Sequence, residues 1–374
     1  MADGCLYFIS GEASGDTHGA EVIGALKQLR PGLEFAGVGG PEMRSVGGDG
    51  IRDWIAEAAV VGIWEVVKKY GYFKGQFDIV AEEIATRQPE AVVLIDYPGF
   101  NLRMAKEIRK RGIRTKIIYY ISPQVWAWNR RRIPKMAKIL DLMICIFPFE
   151  KALYEESGLR TEFAGHPMVD RLSPLRDSVE RDPSLVALLP GSREREVSKI
   201  FPILLAAASK MREARPDLKF AAAAASDSRA ELMRSMMMPS DEFCEVRVGN
   251  AYELMAGACC GAVASGTATL EAAFLGLPYC LVYKVSPATY LAARALMKVD
   301  YLGMANILGQ REVVREFLQS DATPGAIADE LLRLTNSASA RAALAGELRE
   351  VSDLLGGGGA HHRAAELIAD AAFA

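Results

Sequence analysis

Runs of about five apolar residues alternate along the chain with stretches in which apolar positions recur every three or four residues. Residues 5–9, 34–38, 91–95, 116–120 and 142–146 read as strands in the first half, and 185–189, 262–264 and 278–284 in the second. Most are apolar without interruption, as strands buried on both faces of a parallel sheet are. Helical spacing is expected over residues 17–30, 104–111, from Arg193 to about 212, 288–299, 329–334, 339–355 and 360–372. The strand-turn-helix rhythm occurs twice. A short strand at 162–164 runs into Gly165-His166-Pro167, which reads as a hinge and domain boundary, with His166 a hinge or hydrogen-bonding residue rather than a base. At 374 residues the chain is long for a single core, so two α/β domains are expected.

Composition narrows the class. Half the residues are hydrophobic, 24% are charged and the net charge is −3, which speaks against disorder and against wholesale nucleic-acid binding. Six cysteines show no metal-type spacing and lie mostly within apolar runs, as buried reduced thiols do. Met1-Ala2-Asp3-Gly4 lacks a basic leader region, and the longest uncharged run, 254–270, is too short and too polar to span a bilayer. Any membrane contact is therefore expected to be peripheral.

The chemistry-bearing residues follow the strands. Ala91-Val92-Val93-Leu94-Ile95 stops at Asp96-Tyr97-Pro98-Gly99, placing a carboxylate at the strand's carboxyl end, the edge where parallel sheets bind ligands. Asp96 is the leading candidate for a catalytic base; its alternative is an N-cap of the next turn. The turn Ser10-Gly11-Glu12-Ala13-Ser14-Gly15-Asp16 has glycines that admit a close ligand but matches neither the dinucleotide fingerprint nor a Walker loop. Glu12 and Asp16 could hold substrate hydroxyls or cap the helix. In the second half, Pro190-Gly191-Ser192-Arg193 opens a helix whose first N–H groups suit a phosphate, and Arg193 can add a paired contact. Ser265-Gly266-Thr267-Ala268-Thr269-Leu270-Glu271 repeats the device, with Glu271 placed to accept both ribose hydroxyls. Two phosphate-type turns point to a nucleoside diphosphate. Residues 304–312, with Asn306 and Arg311, read as a polar loop returning to the site.

Two segments suggest a surface. Residues 62–77 carry Trp64, Val66, Val67, Tyr70 and Phe73 among lysines, with Gly71 and Gly75 interrupting the helical spacing. That mixture suits a membrane interface or a helix packed on the sheet. Ser122-Pro123 reads as a helix start, followed by Trp126, Trp128 and the cations Arg130, Arg131, Arg132, Lys135 and Lys138. This patch could meet a phosphorylated substrate, anionic lipid or RNA, or be a solvated face; no RNA-binding motif accompanies it.

Taken in order, Ser10 to Asp16, Asp96-Tyr97-Pro98-Gly99-Phe100-Asn101, Ser122-Pro123-Gln124-Val125-Trp126-Ala127-Trp128, Leu189 to Arg193, Ser265 to Glu271 and Asn306 resemble lipid-A-disaccharide synthase over essentially the whole chain. The resemblance implies an inverting glycosyltransferase of GT-B type, two facing Rossmann-like parallel-sheet domains with the active site in the cleft between them. The expected division is an acceptor-side domain at 1–166 and a UDP-sugar domain at 167–344. The helices from about 345 to 374 would pack back on the first or exchange in a homodimer, a move that the break at 356–359 would permit. The implied substrates are UDP-2,3-diacylglucosamine and 2,3-diacylglucosamine 1-phosphate, at the cytoplasmic face of the inner membrane. Asp96 then matches the general base, and Arg193 and Asn306 other functionally important polar positions. Gly11, Ser14, Gly191, Ser192, Ser265, Gly266, Thr267, Thr269, Glu271 and Arg311 complete the expected site, with Glu12 a second carboxylate. Gly99 departs from the family pattern, in which an Asp is usual. No Asp-x-Asp pair occurs, so no metal and no cofactor are expected. A UDP-N-acetylglucosamine 2-epimerase-like enzyme and a non-catalytic peripheral nucleotide- or lipid-binding protein are the competing readings.

Overall fold

The apolar runs of the first half pair, all in parallel, into one seven-stranded sheet ordered β3-β2-β1-β4-β5-β6-β7. The strands are β1 (Cys5–Ile9), β2 (Glu34–Gly39), β3 (Ile51–Asp53), β4 (Ala91–Ile95), β5 (Lys116–Tyr120), β6 (Leu142–Cys145) and β7 (Thr161–Phe163). This computed structural model describes residues 4–55, 70–176, 178–287, 290, 291, 294, 297 and 299–374. Successive residues of a strand face opposite layers. Leu6, Phe8, Val93 and Ile95 pack with Val22, Ile23 and Leu26 of the helix Ala13–Leu29 and with Ala364, Ala365 and Ile368 of the helix Ala360–Phe373. On the other face Tyr7, Ile9, Val92 and Leu94 meet Val80 and Ile84 of the helix Tyr70–Arg87 and Met104 and Ile108 of the helix Pro98–Lys110.

The second sheet is also parallel, six strands ordered β10-β9-β8-β11-β12-β13. Its strands are β8 (Asp182–Leu189), β9 (Lys219–Ala224), β10 (Cys244–Val248), β11 (Ala258–Ala264), β12 (Tyr279–Tyr283) and β13 (Glu316–Leu318). The helices Glu194–Ala214, Thr267–Phe274, Pro324–Asn336 and Ala338–Asp353 belong to the same unit.

The chain divides into two compact units, residues 1–167 with 356–374, and residues 168–355. The break falls after Pro167, within the expected hinge. Residues 345–355, expected to leave with the C-terminal helices, belong instead to the second unit: Leu348 and Val351 of the helix Ala338–Asp353 are buried there. The chain crosses back at Leu355-Gly356, where Gly356, Gly358 and Gly359 all take positive φ (92°, 83° and 70°).

Several local expectations are corrected. The turn expected from Gly39 to Gly50 holds a helix, Pro41–Gly47, and β3 follows it. The helix Tyr70–Arg87 runs through Gly71 and Gly75 rather than stopping at them, because its packed face outweighs roughly 1 kcal/mol per glycine. It includes Tyr70 and Phe73; Trp64, Val66 and Val67 lie outside the described residues, as does most of the helix expected at 288–299. Among the described residues no helix is long and apolar enough to cross a membrane, and all six cysteines are free.

Candidate active site

In both sheets the strand order reverses at one point, and ligand loops gather where it does. In the first sheet β1 lies between β2 and β4, so the turns after β1 and β4 adjoin. These carry Gly11, Glu12 and Ser14 on one side and Asp96 on the other. In the second sheet β8 lies between β9 and β11, which brings Pro190 to Arg193 beside Ser265 to Thr267.

Asp96 and Tyr97 both adopt left-handed backbone, φ 42° and 46°. Two consecutive non-glycine residues in that region cost about 1–3 kcal/mol each unless the surroundings hold them. Here they do. The Asp96 carbonyl accepts from the Asn101 side-chain amide (2.7 Å) and the Tyr119 hydroxyl (2.5 Å), and the Asp96 N–H donates to the Tyr120 carbonyl (3.0 Å). The Tyr97 ring leans on Gly11, where a Cβ would come within 2.3 Å of it, and lies edge-on to Trp54. Trp54 in turn donates its indole N–H to the Ser10 carbonyl (2.5 Å). The turn after β1 and the turn after β4 are thus locked together through one aromatic cluster.

Held this way, the Asp96 carboxyl is mostly buried. Burial first, and the Glu12 charge second, push its pKa up to about 6, against a hydrogen bond from the Tyr97 N–H. Glu12 occupies the N-cap position of its helix but makes no side-chain cap bond. Asp16 caps a different helix from the one its sequence position suggests: its carboxylate accepts the N–H groups of Gly40, Glu42 and Met43 (2.8–3.0 Å) at the start of Pro41–Gly47. It is buried and fully engaged there. Gly99 is exposed, and a Cβ on it would meet nothing within 4 Å, so the position has room for a larger residue.

Beside this turn, Ser122 does not cap a helix. The next helix, Val125–Trp128, starts later, and Ser122 donates instead to the buried Glu150 carboxylate (2.6 Å), which also takes the Trp126 indole N–H (2.9 Å) and the Phe147 N–H (3.2 Å). A carboxylate without solvent needs those donors, which outcompete a local cap. Burial raises Glu150 to about 7 despite them. Arg130, Arg131, Lys135 and Lys138 remain exposed, Arg130 donating to the Trp126 carbonyl (3.1 Å) and Arg132 lying over the exposed Trp128 ring.

In the second unit Gly191, Ser192, Arg193, Ser265, Gly266 and Thr267 line a cavity of about 310 Å³, with Glu271 in its wall. Gly191 has φ 106°, a conformation that only glycine takes without strain. It turns the chain from β8 into the helix Glu194–Ala214 at the edge of the cavity. Arg193 is largely exposed and lightly tethered to Glu196 (3.0 Å). Thr269, expected to face the ligand, is buried, and its hydroxyl donates to the Gly266 carbonyl (2.8 Å), so it braces the turn from beneath.

Asn306 and Arg311 are not brought to this cavity. Residues 304–309 form a helix rather than a loop. Asn306 is fully buried, with its amide donating to the Val314 carbonyl and Glu316, and its oxygen accepting the N–H groups of Val313 and Val314 (2.8–2.9 Å). Every polar atom of that side chain is committed to fixing the approach to β13. Arg311 pairs with Glu347.

Sequence reasoning missed Tyr252, Met255 and the alanines at 223–225, which also line the cavity. Tyr252 follows the carboxyl end of β10 and so shares the positional signal used for the other loops. Arg171, bonded to Glu271 across 100 residues of sequence, offers no such signal.

A family profile described as lipid-A-disaccharide synthetase matches residues 6–361. The chain is 39% identical over 374 residues to the lipid-A-disaccharide synthase of Geobacter sulfurreducens and 38% over 377 residues to that of Trichlorobacter lovleyi, covering 97% of this chain and 96% of each relative. The chain belongs to the lipid-A-disaccharide synthase family. Solved structures give the same architecture at low identity. A glycosyltransferase from Siraitia grosvenorii in complex with UDP superposes with TM-score 0.61 at 11% identity, over 99% of this chain and 100% of that one. A UDP-GlcNAc 2-epimerase from Neisseria meningitidis does so with TM-score 0.60 at 10% identity, covering 98% of both. A lipid-A-disaccharide synthase is a UDP-sugar glycosyltransferase of lipid A biosynthesis, and the two Rossmann-like sheets described above are the GT-B fold that serves it.

Proposed function

We propose that the chain transfers 2,3-diacylglucosamine from its UDP conjugate to the 6-hydroxyl of 2,3-diacylglucosamine 1-phosphate, with inversion, and that Asp96 is the general base. The acceptor oxygen attacks the anomeric carbon from the face opposite UDP, the bond from that carbon to the β-phosphate oxygen breaks, and the hydroxyl proton passes to the Asp96 carboxylate. The observation that carries this reading is the left-handed turn that sets Asp96 at the switch point of the first sheet with its pKa raised to about 6. A base poised there is ionised at neutral pH yet strong enough to take a proton as the bond forms.

UDP leaves with growing negative charge. The N–H groups opening the helices Glu194–Ala214 and Thr267–Phe274, with the Arg193 guanidinium, are the groups suited to receive it. The charge is thereby met by protein groups, and transfer proceeds without a metal. The exposed cations Arg130, Arg131, Lys135 and Lys138 beside Trp128 suit phosphate head groups, of the acceptor or of an anionic membrane, and residues 64–73 suit acyl chains. On this reading the protein works peripherally at the cytoplasmic face of the inner membrane. The helix Ala360–Phe373 is the segment that two copies would exchange in a homodimer.

The test is a transfer assay in metal-free buffer with both lipid substrates, wild type beside Asp96→Ala. Disaccharide from the wild type and a loss of roughly a hundredfold or more in the variant are expected. An unaffected variant overturns Asp96 as base, and a water-soluble sugar product in place of the disaccharide overturns the reaction. Polar replacement of Val66, Val67, Tyr70 and Phe73 is expected to lower liposome partitioning.

A further inference from the structure

At one wall of the cavity two side chains close on a single oxygen of a third. Glu271 Oε1 accepts from Arg171 Nη2 (2.8 Å) and from the Tyr252 hydroxyl (2.9 Å), and the Arg171 guanidinium lies 5.2 Å from the centre of the Tyr252 ring. Glu271 is buried and rides on the helix Thr267–Phe274, one turn after the phosphate-type loop. Among the described residues its second oxygen, Oε2, has no hydrogen-bond partner. Arg171 comes from the helix Met168–Arg176 and Tyr252 from Ala251–Gly257, so three separate elements fix the carboxylate plane.

We propose that Arg171 and Tyr252 are positioning residues that hold the Glu271 carboxylate with Oε2 turned into the cavity, and that this arrangement makes the site discriminate ribose from deoxyribose. The inference rests on the reading above that the cavity takes the UDP moiety. A free carboxylate rotates about its terminal torsion, whose well is broad. Two donors on one oxygen arrest that rotation and leave the other oxygen aimed. Neighbouring ribose hydroxyls are then recognised by an acceptor that is both charged and already oriented, and a ligand lacking one hydroxyl forfeits that bond. Burial, then the Glu271 charge, raises the Tyr252 phenol to about 12, which keeps it a donor over the whole working pH range. Arg171 is itself more than half exposed, so replacing it disturbs little else.

The experiment is calorimetric titration of the full chain with UDP and with 2′-deoxy-UDP, for wild type, Arg171→Gln and Tyr252→Phe. Wild type is expected to bind UDP roughly tenfold more tightly than the deoxy analogue, the size of one hydrogen bond to a charged acceptor. In both variants that ratio is expected to fall to within about twofold of unity, with the affinity for 2′-deoxy-UDP nearly unchanged. A general loss of structure would weaken both ligands together and leave the ratio alone; that outcome overturns the inference, as does a ratio unchanged in both variants. Wild type that binds both nucleotides equally overturns Glu271 as the ribose acceptor, and failure to bind either overturns the UDP reading itself.

Discussion

Removing the Glu12 charge should move the acid limb of the reaction. The Asp96 carboxyl rises from an ordinary 3.8 to about 6, with burial the larger cause and Glu12 the second. That rise corresponds to about 3 kcal/mol of preference for the neutral acid. Glu12 is exposed, so its charge acts through a largely aqueous dielectric and contributes about 1 kcal/mol or less. Glu12→Gln is therefore expected to lower the Asp96 pKa by roughly half a unit while burial holds the rest in place. The assay is kcat/KM for the acceptor between pH 4.5 and 8 at constant low ionic strength. In wild type the ionised fraction of a group titrating at 6 falls from about 90% at pH 7 to about 10% at pH 5, a tenfold loss of rate. The acceptor's phosphomonoester also titrates near 6. The difference between the two enzymes therefore carries the test, since the substrate contributes equally to both. In Glu12→Gln the limb should lie roughly half a unit lower, and added salt should bring wild type toward it. Gly99→Asp, which the open space at that position admits, restores a like charge and should displace the limb upward. A Glu12→Gln limb that coincides with wild type, or lies above it, refutes the electrostatic coupling of the two turns.

The same shift has a sign in stability. An acid whose folded pKa lies above its unfolded value stabilises the fold below about pH 4 and loses that contribution as pH rises through 6. Asp96→Asn should accordingly raise the melting temperature by several degrees at pH 7.5 and by almost nothing at pH 4; an equal effect at both would contradict it. Gly11→Ala forces a Cβ into the Tyr97 ring and through it displaces Asp96. Activity should fall tenfold or more with the circular dichroism spectrum unchanged, and wild-type rates would show that the aromatic lock is dispensable. Glu150→Ala strands the Trp126 and Phe147 N–H groups in the interior, at roughly 1–3 kcal/mol each, and leaves the Ser122 hydroxyl to the Tyr154 hydroxyl (3.1 Å). Urea unfolding should register a loss of about 3 kcal/mol or more, with a changed tryptophan emission; a loss below 1 kcal/mol would mean that the network is not needed.

The strands were legible because each is an unbroken apolar run, and the candidate loops because each follows a strand's carboxyl end. Asp96, Glu12, Gly191 and Ser265 each follow such an end. Other features depend on contacts between residues far apart in the chain. Nothing near Asp16 shows that its carboxylate serves the helix at 41–47, and nothing near Ser122 shows that Glu150 is waiting for its hydroxyl. Asn306 misled for a related reason. A polar residue in a polar stretch suggests a surface loop, but its four hydrogen bonds lie inside the fold. Residues 39–50 read as turn because their glycines obscure a short helix.

The helix Ala360–Phe373 supplies part of one face of a sheet whose strands all precede residue 164. During synthesis the first unit therefore emerges with that part of the face bare, and the whole of the second unit must pass through the ribosome before its cover arrives. The second unit, contiguous in sequence, can complete itself earlier. Order of translation and order of completion are reversed, so the first unit is the one exposed to chaperones and proteases on a nascent chain. Truncation at the C-terminus would injure the half that carries Asp96 and spare the half that carries the cavity at Gly191 and Ser265.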